Sequence, residues 1–350
     1  MLEKADIKSY SKAELGVFLK ALGEKEFHAS QIFRWLHSGV SSFEEMSDLS
    51  LSLRGKLNEK TRITCPVILR KQRSGKDGTV KYLWELSDKN SVESVLMSYQ
   101  HGNSICISTQ AGCRMGCAFC ASCKNGLARS LEPSEMLDQV IFAQKDENVK
   151  ISNIVMMGIG EPLDNMSNVI KFLDLINTEG GLFIGHRHIS LSTCGLCDEI
   201  DILAEKRLQL TLSVSLHAPF NELRSKLMPV NRKYPLELLM RSCKKYFEKT
   251  GRRISYEYAM IRGVNDTKAC AEKLTKLLKG QNCHVNLILL NRIKESEFLP
   301  SSRETVSQFM SILTDNGIKA TIRRRLGPDI DASCGQLRRQ AIASSEVQTI

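Results

Sequence analysis

The chain has 350 residues, of which 42% are hydrophobic and 25% are charged. This balance is typical of a soluble globular protein with one or two domains and excludes a disordered chain. No apolar run reaches transmembrane length, and the opening segment MLEKADIKSYSKAEL lacks the apolar centre of a secretory signal, so we expect a cytoplasmic protein that does not enter a membrane. The net charge of +10 favours a polyanionic partner such as a nucleic acid.

Helical patterns fill the first 65 residues. Ser11 and Glu14 have the spacing of a capping box, and the apolar residues that follow recur with helical period. The segment SQIFRWLHSG predicts a second helix, and Ser42 with Glu45 repeats the capping spacing before a third. We therefore predict a helical accessory domain over residues 1–65. Two roles for it stay open, packing against the rest of the chain and docking RNA.

Antiparallel strands are predicted next, over residues 66–98. A Lys-Asp-Gly turn signal precedes an alternating pattern formed by Val80, Tyr82, Trp84 and Leu86. Strict alternation of this kind is typical of a strand with one buried face. We therefore expect a β extension between the helical domain and the rest of the chain.

Residues 99–326 alternate between short apolar strands and helical stretches. Six segments are candidate strands, and KATIRRR offers one more: SICIS, ISNIVMM, HISLS, LQLTLSVSL, RISYEYAMI and CHVNLILLN. This alternation predicts an α/β fold with a parallel sheet. The repeat alone does not distinguish a partial barrel from a doubly wound sheet. Residues 327–350 form a predicted C-terminal tail.

Four cysteines crowd into the segment GCRMGCAFCASC, residues 112–123. In a cytoplasmic chain such a cluster points to metal binding or catalysis rather than to disulfides. Cys113, Cys117 and Cys120 have the spacing of three thiolates that bind three corners of a [4Fe–4S] cluster and leave the fourth iron open. The alternatives are a zinc site that uses Cys123 as a fourth ligand and a closed four-cysteine cluster.

This loop, placed after the first core strand, resembles the C-x3-C-x2-C signature of the radical S-adenosylmethionine (SAM) superfamily. MMGIGEPL resembles the glycine-and-glutamate segment of that superfamily. SLHAPFNELRSKLMPVNRKYP, RGVNDT, HVNLI and GPDIDASCGQL are similar to one family within it, the RNA adenosine methyltransferases of the RlmN and Cfr types, which modify carbon 2 or carbon 8 of adenine. The implied fold is α/β, a partial (βα)6 radical SAM barrel with a small helical N-terminal domain, a β extension and a C-terminal catalytic tail.

The resemblance implies a 4Fe-4S cluster and S-adenosylmethionine as cofactors. Cys113, Cys117 and Cys120 match the cluster ligands. The positions that match SAM contacts lie at the ends of later strands: Gly160, Glu161, Ser192, Ser215, Leu216, His217 and Asn291. Three of these residues also fit roles that do not involve SAM. Glu161 fits a solvated turn, His217 fits a hydrogen-bonded strand end, and Asn291 fits a turn.

The resemblance also implies two catalytic cysteines and a carboxylate. The family stores the incoming methyl group on a tail cysteine, matched by Cys334, and a radical step then joins the methyl carbon to the base. A second cysteine, matched by Cys106, releases the RNA by attacking the sulfur of Cys334 and leaving a disulfide. Glu93 matches the acid/base carboxylate of the family. Taken alone, Cys106 suits a small core residue and Glu93 an exposed strand charge.

The expected substrate is RNA, with carbon 2 of an adenosine in 23S rRNA as the target and tRNA as a further substrate. The alternatives are carbon 8 of the same rRNA adenosine, the Cfr-type resistance activity, and a radical enzyme with a non-RNA substrate. An electron donor such as flavodoxin and a monomeric state are also expected. A set of basic residues predicted at the barrel mouth favours RNA: Arg224, Lys226, Arg232, Lys233 and Arg323 to Arg325.

The sequence departs from the family pattern at two places. Ala121, Ser122 and Cys123 replace the usual Ala-Thr-Gly, and Arg292 replaces a proline. Both changes fall near the expected cofactor site, and neither removes a predicted catalytic group. Five further cysteines are predicted to be structural: Cys194, Cys197, Cys243, Cys270 and Cys283.

Overall fold

The computed structural model describes residues 4–291, 297–324, 326–327 and 329–330. Cys334, Arg292 and Arg325 lie outside the described residues. No helix in the described ranges has the length and apolar character needed to span a membrane.

The N-terminal residues form a small helical module closed by two short parallel strands. Its elements are β1 (Ala5–Asp6), a 3-10 turn (Ile7–Ser9), α1 (Lys12–Ala21), α2 (His28–His37), α3 (Leu51–Lys60) and β2 (Thr61–Arg62). The predicted capping box of α1 is confirmed, since the backbone N–H of Glu14 donates to Ser11 Oγ and that of Ser11 to Glu14 Oε2. This reciprocal pair satisfies two N–H groups that have no partner inside the helix.

The second predicted capping box does not open the third long helix. Ser42 and Glu45 cap only a 3-10 turn, Phe43–Glu45, because the chain leaves the helical region at Met46, where ψ is 71°. Helix α3 begins later, with Ser50 as its N-cap.

A ten-stranded sheet forms the body of the protein. Four antiparallel strands make one edge: β3 (Val67–Arg73), β4 (Val80–Glu85), β5 (Ser91–Tyr99) and β6 (Gly102–Cys106). The predicted antiparallel pairing is confirmed, but the prediction that β4 buries one face is wrong. Lys81 is 0% exposed and Leu83 is 1% exposed. Side chains on both faces of β4 are therefore buried.

The remaining strands extend the sheet from β6 in parallel. They are β9 (Ile151–Met156), β10 (Ile189–Thr193), β11 (Thr211–Ser215), β12 (Ile254–Met260), β13 (Cys283–Leu289) and β14 (Ala320–Ile322), while β7 (Gln110–Gly112) and β8 (Leu127–Ser130) form a separate hairpin. The spatial order runs β6-β9-β10-β11-β12-β13-β14 without reversal. A doubly wound sheet requires a reversal, so the order is that of a partial barrel.

Helices connect the parallel strands along the chain and pack against one face of the sheet. They are α4 (Pro133–Glu147), α5 (Met166–Ile176), α6 (Cys197–Glu205), α7 (Asn221–Leu227), α8 (Leu236–Thr250), α9 (Lys268–Leu278) and α10 (Arg303–Asp315). Residues such as Leu191, Val214 and Tyr256 face this core. Alternate residues such as Ser192 and Glu257 lie on the other face. Since strands of a parallel sheet are usually apolar on both faces, a polar second face indicates an interior site.

Candidate active site

The cysteine loop follows β6 and is held at its start and at its middle by backbone hydrogen bonds. The N–H of Cys113 donates to the carbonyl oxygen of Gly126 at 3.0 Å, which joins the loop to the β7–β8 hairpin. The N–H of Ala118 donates to the carbonyl oxygen of Leu227 at 2.9 Å, which joins it to the end of α7. The chain therefore places the cysteines at the carboxyl end of the parallel strands, as predicted.

The structure brings the three predicted ligands together with Cys123. The Cys123 thiol lies close to Cys113, Cys117 and Cys120. No three Cys, His, Asp or Glu side chains among the described residues converge on a point suited to one metal ion. A cubane does not need such a point, because each corner iron takes its own thiolate. The three cysteines fit a three-thiolate cluster in residue type, loop position and proximity.

An apolar wall lies beside this loop. Buried Leu227, Met228 and Ile261 form a small cluster, and Cys117 and Phe119 of the loop pack against it. Such surroundings exclude water and strengthen electrostatic interactions at the site.

The glycines after β9 permit a close approach between two loops. Gly160 has φ of +110°, and a Cβ atom there would lie 2.6 Å from Cβ of Gln110. A Cβ on Gly158 would lie 2.6 Å from the carbonyl oxygen of Ile107. Only glycine fits either position, so these residues join the loop after β9 to the segment after β6.

Glu161 is not a solvated turn residue, because it is 4% exposed. Its Oε2 accepts a hydrogen bond from the backbone N–H of Cys194 at 2.7 Å, and its Oε1 accepts one from Leu163 at 3.2 Å. Burial raises the pKa of Glu161, although these hydrogen bonds oppose the shift. The carboxylate thus bridges the loops that follow β9 and β10.

His217 lies just beyond β11 in the left-handed region, with φ of 54°. Its Nδ1 accepts a hydrogen bond from the backbone N–H of Ala259 at 2.9 Å, and Asn265 Nδ2 donates to its carbonyl oxygen at 2.7 Å. Burial, together with the positive charge of Arg224, lowers the pKa of His217 to about 3. The ring is therefore neutral, and its edge-to-face contact with Phe119 links it to the cysteine loop.

Arg224 does not belong to the surface of the barrel mouth, because it is 0% exposed. Its guanidinium donates to the carbonyl oxygens of Cys194 at 2.7 Å, Ser215 at 3.1 Å and Leu216 at 3.1 Å. The prediction that Arg224 is RNA-facing charge is therefore wrong, and no local sequence pattern indicated its bridging role. The other described members of the basic set are exposed: Lys226, Arg232, Lys233, Arg323 and Arg324.

The remaining predicted SAM contacts lie at the same end of the sheet. Ser192 and Ser215 are half-buried, whereas Leu216 is fully buried in the apolar core, so only its backbone faces the site. Asn291 has a buried Oδ1 with no hydrogen-bond partner in the described part of the chain. A buried acceptor without a partner suits a position that contacts a ligand.

Cys106 and Glu93 lie on one face of neighbouring strands. Cys106 pairs directly with Val95 of β5, and Glu93 is two residues before Val95. Cys106 is 7% exposed and packs with Val95 and Met97. Glu93 is 3% exposed, so the alternative of an exposed strand charge is wrong.

The described part of the tail approaches this face. Leu326 packs against the cluster that contains Cys106. The N–H of Gly327 donates to Asp77 Oδ2 at 2.9 Å, and Asp329 Oδ1 accepts from Ser74 Oγ at 2.6 Å. The turn between β3 and β4 therefore anchors the start of the tail. Sequence analysis did not identify this anchor, since its partners are about 250 residues apart.

The five cysteines predicted to be structural are all buried: Cys194, Cys197, Cys243, Cys270 and Cys283. Cys194 has a second feature, since its backbone N–H and carbonyl oxygen bind Glu161 and Arg224. Its place at the site comes from its backbone rather than from its thiol.

Two family models match this chain. Residues 107–274 match the radical SAM superfamily, and residues 5–63 match the ribosomal RNA large subunit methyltransferase N-terminal domain. The first match covers the cysteine loop and strands β9 to β12, and the second covers the helical module.

Full-length relatives and a solved structure extend these matches. A probable dual-specificity RNA methyltransferase RlmN from Lachnoclostridium phytofermentans is 51% identical over 99% of this chain and 98% of its own length. A relative of the same description from Lachnospira eligens is 52% identical over 95% of each chain. The crystal structure of a radical SAM methyltransferase from Sphaerobacter thermophilus matches with a TM-score of 0.91 and 40% identity, covering 95% of this chain and 98% of that one.

Proposed function

The chain belongs to the RlmN family of radical SAM RNA methyltransferases, and we propose that it methylates carbon 2 of an adenosine in 23S rRNA and in tRNA. The observation that carries the two-cysteine route is the common face of Glu93 and Cys106, against which Leu326 of the tail packs. We also propose the four-part organisation with divisions after residues 65, 98 and 326.

The superfamily uses a 4Fe-4S cluster and S-adenosylmethionine, which when bound supply the electron and the radical that unreactive adenine carbons require. We assign the cluster to Cys113, Cys117 and Cys120. The Glu161 carboxylate and the loop at Gly160 bind the amino group of SAM. The other contacts come from later strand ends: Ser192, Ser215, Leu216, His217 and Asn291. The apolar wall beside Phe119 keeps water from the site.

Cys334 and Cys106 carry the methyl transfer. Cys334 lies outside the described residues, eight positions after Leu326, and eight residues span up to about 26 Å when extended, which gives its thiol ample reach. Cys334 holds the methyl group. The radical that bound SAM would supply would take one hydrogen atom from that group, its carbon would bond to the base, and the adduct would return one electron to the cluster. The Cys106 thiolate then attacks the sulfur of Cys334, an S–S bond forms, and the C–S bond breaks. Its electron pair stays on the methyl carbon, which takes up a proton.

Glu93 accepts the proton that the ring carbon loses on methylation. The carboxylate is two residues from the position that pairs with Cys106, so the two groups address neighbouring atoms of one adduct. This placement supports the acid/base role that the family resemblance implies for Glu93.

We propose RNA as the macromolecular partner. Exposed Lys226, Arg232 and Lys233 offer phosphate contacts near the site. We further propose that the chain acts as a monomer in the cytoplasm, with a one-electron donor such as flavodoxin.

Mass spectrometry of RNA from cells with and without the gene tests the proposal. We expect 2-methyladenosine in 23S rRNA and tRNA to disappear with the gene and to return when the intact gene is restored. A gene carrying Cys334→Ala should not restore it. Loss of 8-methyladenosine instead would establish Cfr-type regiochemistry, and unchanged RNA would contradict the proposal.

A further inference from the structure

A buried lysine shares the face that carries Glu93 and Cys106. Lys81 of β4 pairs directly with Val95 of β5, and Val95 pairs directly with Cys106 of β6. Directly paired residues point to the same face of a sheet, and Glu93 follows the same alternation on β5. Lys81, Glu93 and Cys106 therefore occupy three neighbouring strands on one face.

Lys81 and Glu93 form a buried ion pair. The Lys81 Nζ lies 3.8 Å from Glu93 Oε2, and the two side chains are 0% and 3% exposed. Taking either charge out of water alone is strongly unfavourable, so each stabilises the charged form of the other. At 3.8 Å the contact is an ion pair rather than a direct hydrogen bond. Lys81 thus acts on Glu93 through its charge.

Other described groups also lie near Glu93. Cys106 is the titratable neighbour on β6, and Ser108 Oγ donates to the backbone carbonyl oxygen of Glu93 at 2.6 Å. Further toward the rim, Tyr99 interacts with Arg323 and Arg324. Among the described residues, Lys81 is the cation that pairs with the Glu93 carboxylate.

We propose that Lys81 is a positioning residue that holds Glu93 ionised, so that this carboxylate can accept a proton from the RNA base in a site closed to water. The inference rests on the role proposed above for Glu93. A buried carboxyl without a cation favours its neutral form, which cannot accept a proton, whereas an ammonium within about 4–6 Å favours the charged form. Lys81 therefore affects the rate of RNA methylation through Glu93 and does not need to bind the substrate.

Three variants separate this role from simple packing. Lys81→Met keeps a long flexible side chain and removes the charge, while Lys81→Arg keeps the charge. Lys89→Met removes a lysine that is 80% exposed and paired with Glu85, and serves as the matched control. The reconstituted holoenzyme is assayed for RNA methylation between pH 5.5 and 9.5, with about 1–3 pH units as the expected shift.

Lys81→Met should move the acid limb of the pH–rate profile to higher pH, with activity recovering at alkaline pH. Lys81→Arg should stay near the parent profile, and Lys89→Met should match it. An unchanged profile in folded Lys81→Met would overturn the proposal and leave Lys81 a packing residue.

Infrared spectroscopy provides a readout that does not depend on turnover. At pH 7 the band of a protonated Glu93 carboxyl, identified by its disappearance in Glu93→Gln, should be absent from the parent protein. The same band should be present in Lys81→Met. If Lys81→Met does not fold, the parent protein alone decides, since a protonated Glu93 at pH 7 contradicts the inference. Normal methylation by Glu93→Gln would instead refute the role of Glu93 in the proposed function, while the infrared result still reports on the ion pair.

Discussion

The Glu161 carboxylate accepts the backbone N–H of Cys194 at 2.7 Å, which ties the loop after β9 to the loop after β10. Its second oxygen accepts the N–H of Leu163. One buried side chain therefore fixes two of the loops that form the proposed SAM site. The same oxygens are the acceptors that a cofactor amino group needs, so the residue combines a structural and a binding role.

Replacing Glu161 with Gln should weaken SAM binding at least tenfold and lower the melting temperature. The amide has one acceptor oxygen, so a buried N–H of Cys194 or Leu163 loses its partner at a cost of about 1–3 kcal/mol. Equilibrium dialysis and thermal unfolding measure the two effects. The exposed Glu222→Gln variant is the control. Parent-like SAM affinity in Glu161→Gln would show that the carboxylate is only structural.

The pH dependence of stability should contain a contribution from His217. Its pKa falls from the ordinary 6.5 to about 3 on folding, so between these values the unfolded chain binds a proton that the folded chain does not. The contribution is complete above pH 6.5 and is lost as the pH falls toward 3. At pH 5 the loss is about 2 kcal/mol.

Asn is the replacement that tests this contribution. Its Oδ1 can accept the Ala259 N–H, it tolerates the left-handed backbone, and it does not titrate. In protein without cofactors, the melting temperature of His217→Asn should therefore fall less between pH 7 and pH 5 than that of the parent protein. The remaining slope includes His37, whose pKa burial lowers to about 4. The control His188→Asn removes an exposed histidine and should keep the parent's dependence of melting temperature on pH. If His217→Asn also kept that dependence, the His217 ring of the folded parent would be protonated, which would contradict the assignment.

The cysteine loop should bind iron through three of its four cysteines. Alanine at Cys113, Cys117 or Cys120 should abolish reductive cleavage of SAM, and anaerobically reconstituted parent protein should hold about four irons. Cys123→Ala should retain both properties, because three thiolates suffice to hold a cluster that leaves its fourth iron open. Iron analysis and electron paramagnetic resonance check the result. An essential Cys123 would contradict the open-iron assignment.

Local patterns predicted the parallel strands and the cysteine loop, because both depend on residues close in sequence, whereas the order of a partial barrel was implied only by the family resemblance. Apolar segments of β9 to β13 identified the parallel strands, and cysteine spacing identified the loop. The pairing of Lys81 with Glu93 depends instead on strand register, which the alternating pattern of β4 did not specify. Arg224 was misplaced for a similar reason, since three carbonyl oxygens that satisfy its donors meet only when two strand ends come together.

In the proposed mechanism, Cys106 resolves a covalent intermediate carried by Cys334. If Cys106 only fills space beside Val95 and Met97, Cys106→Ala should cost about 1 kcal/mol of stability and leave turnover intact. The buried strand residue Cys283 is the matched control, and Cys283→Ala should behave in that way. Resolution by Cys106 predicts a different outcome, because the adduct then has no thiolate to release it.

Denaturing electrophoresis of Cys106→Ala after expression, with and without ribonuclease, distinguishes resolution by Cys106 from a space-filling role. Resolution by Cys106 predicts that Cys106→Ala accumulates as an RNA-linked species, which survives denaturation, shrinks with ribonuclease and is absent from the double variant Cys106→Ala with Cys334→Ala. A folded Cys106→Ala protein that methylates RNA at the parent rate and carries no RNA would contradict it.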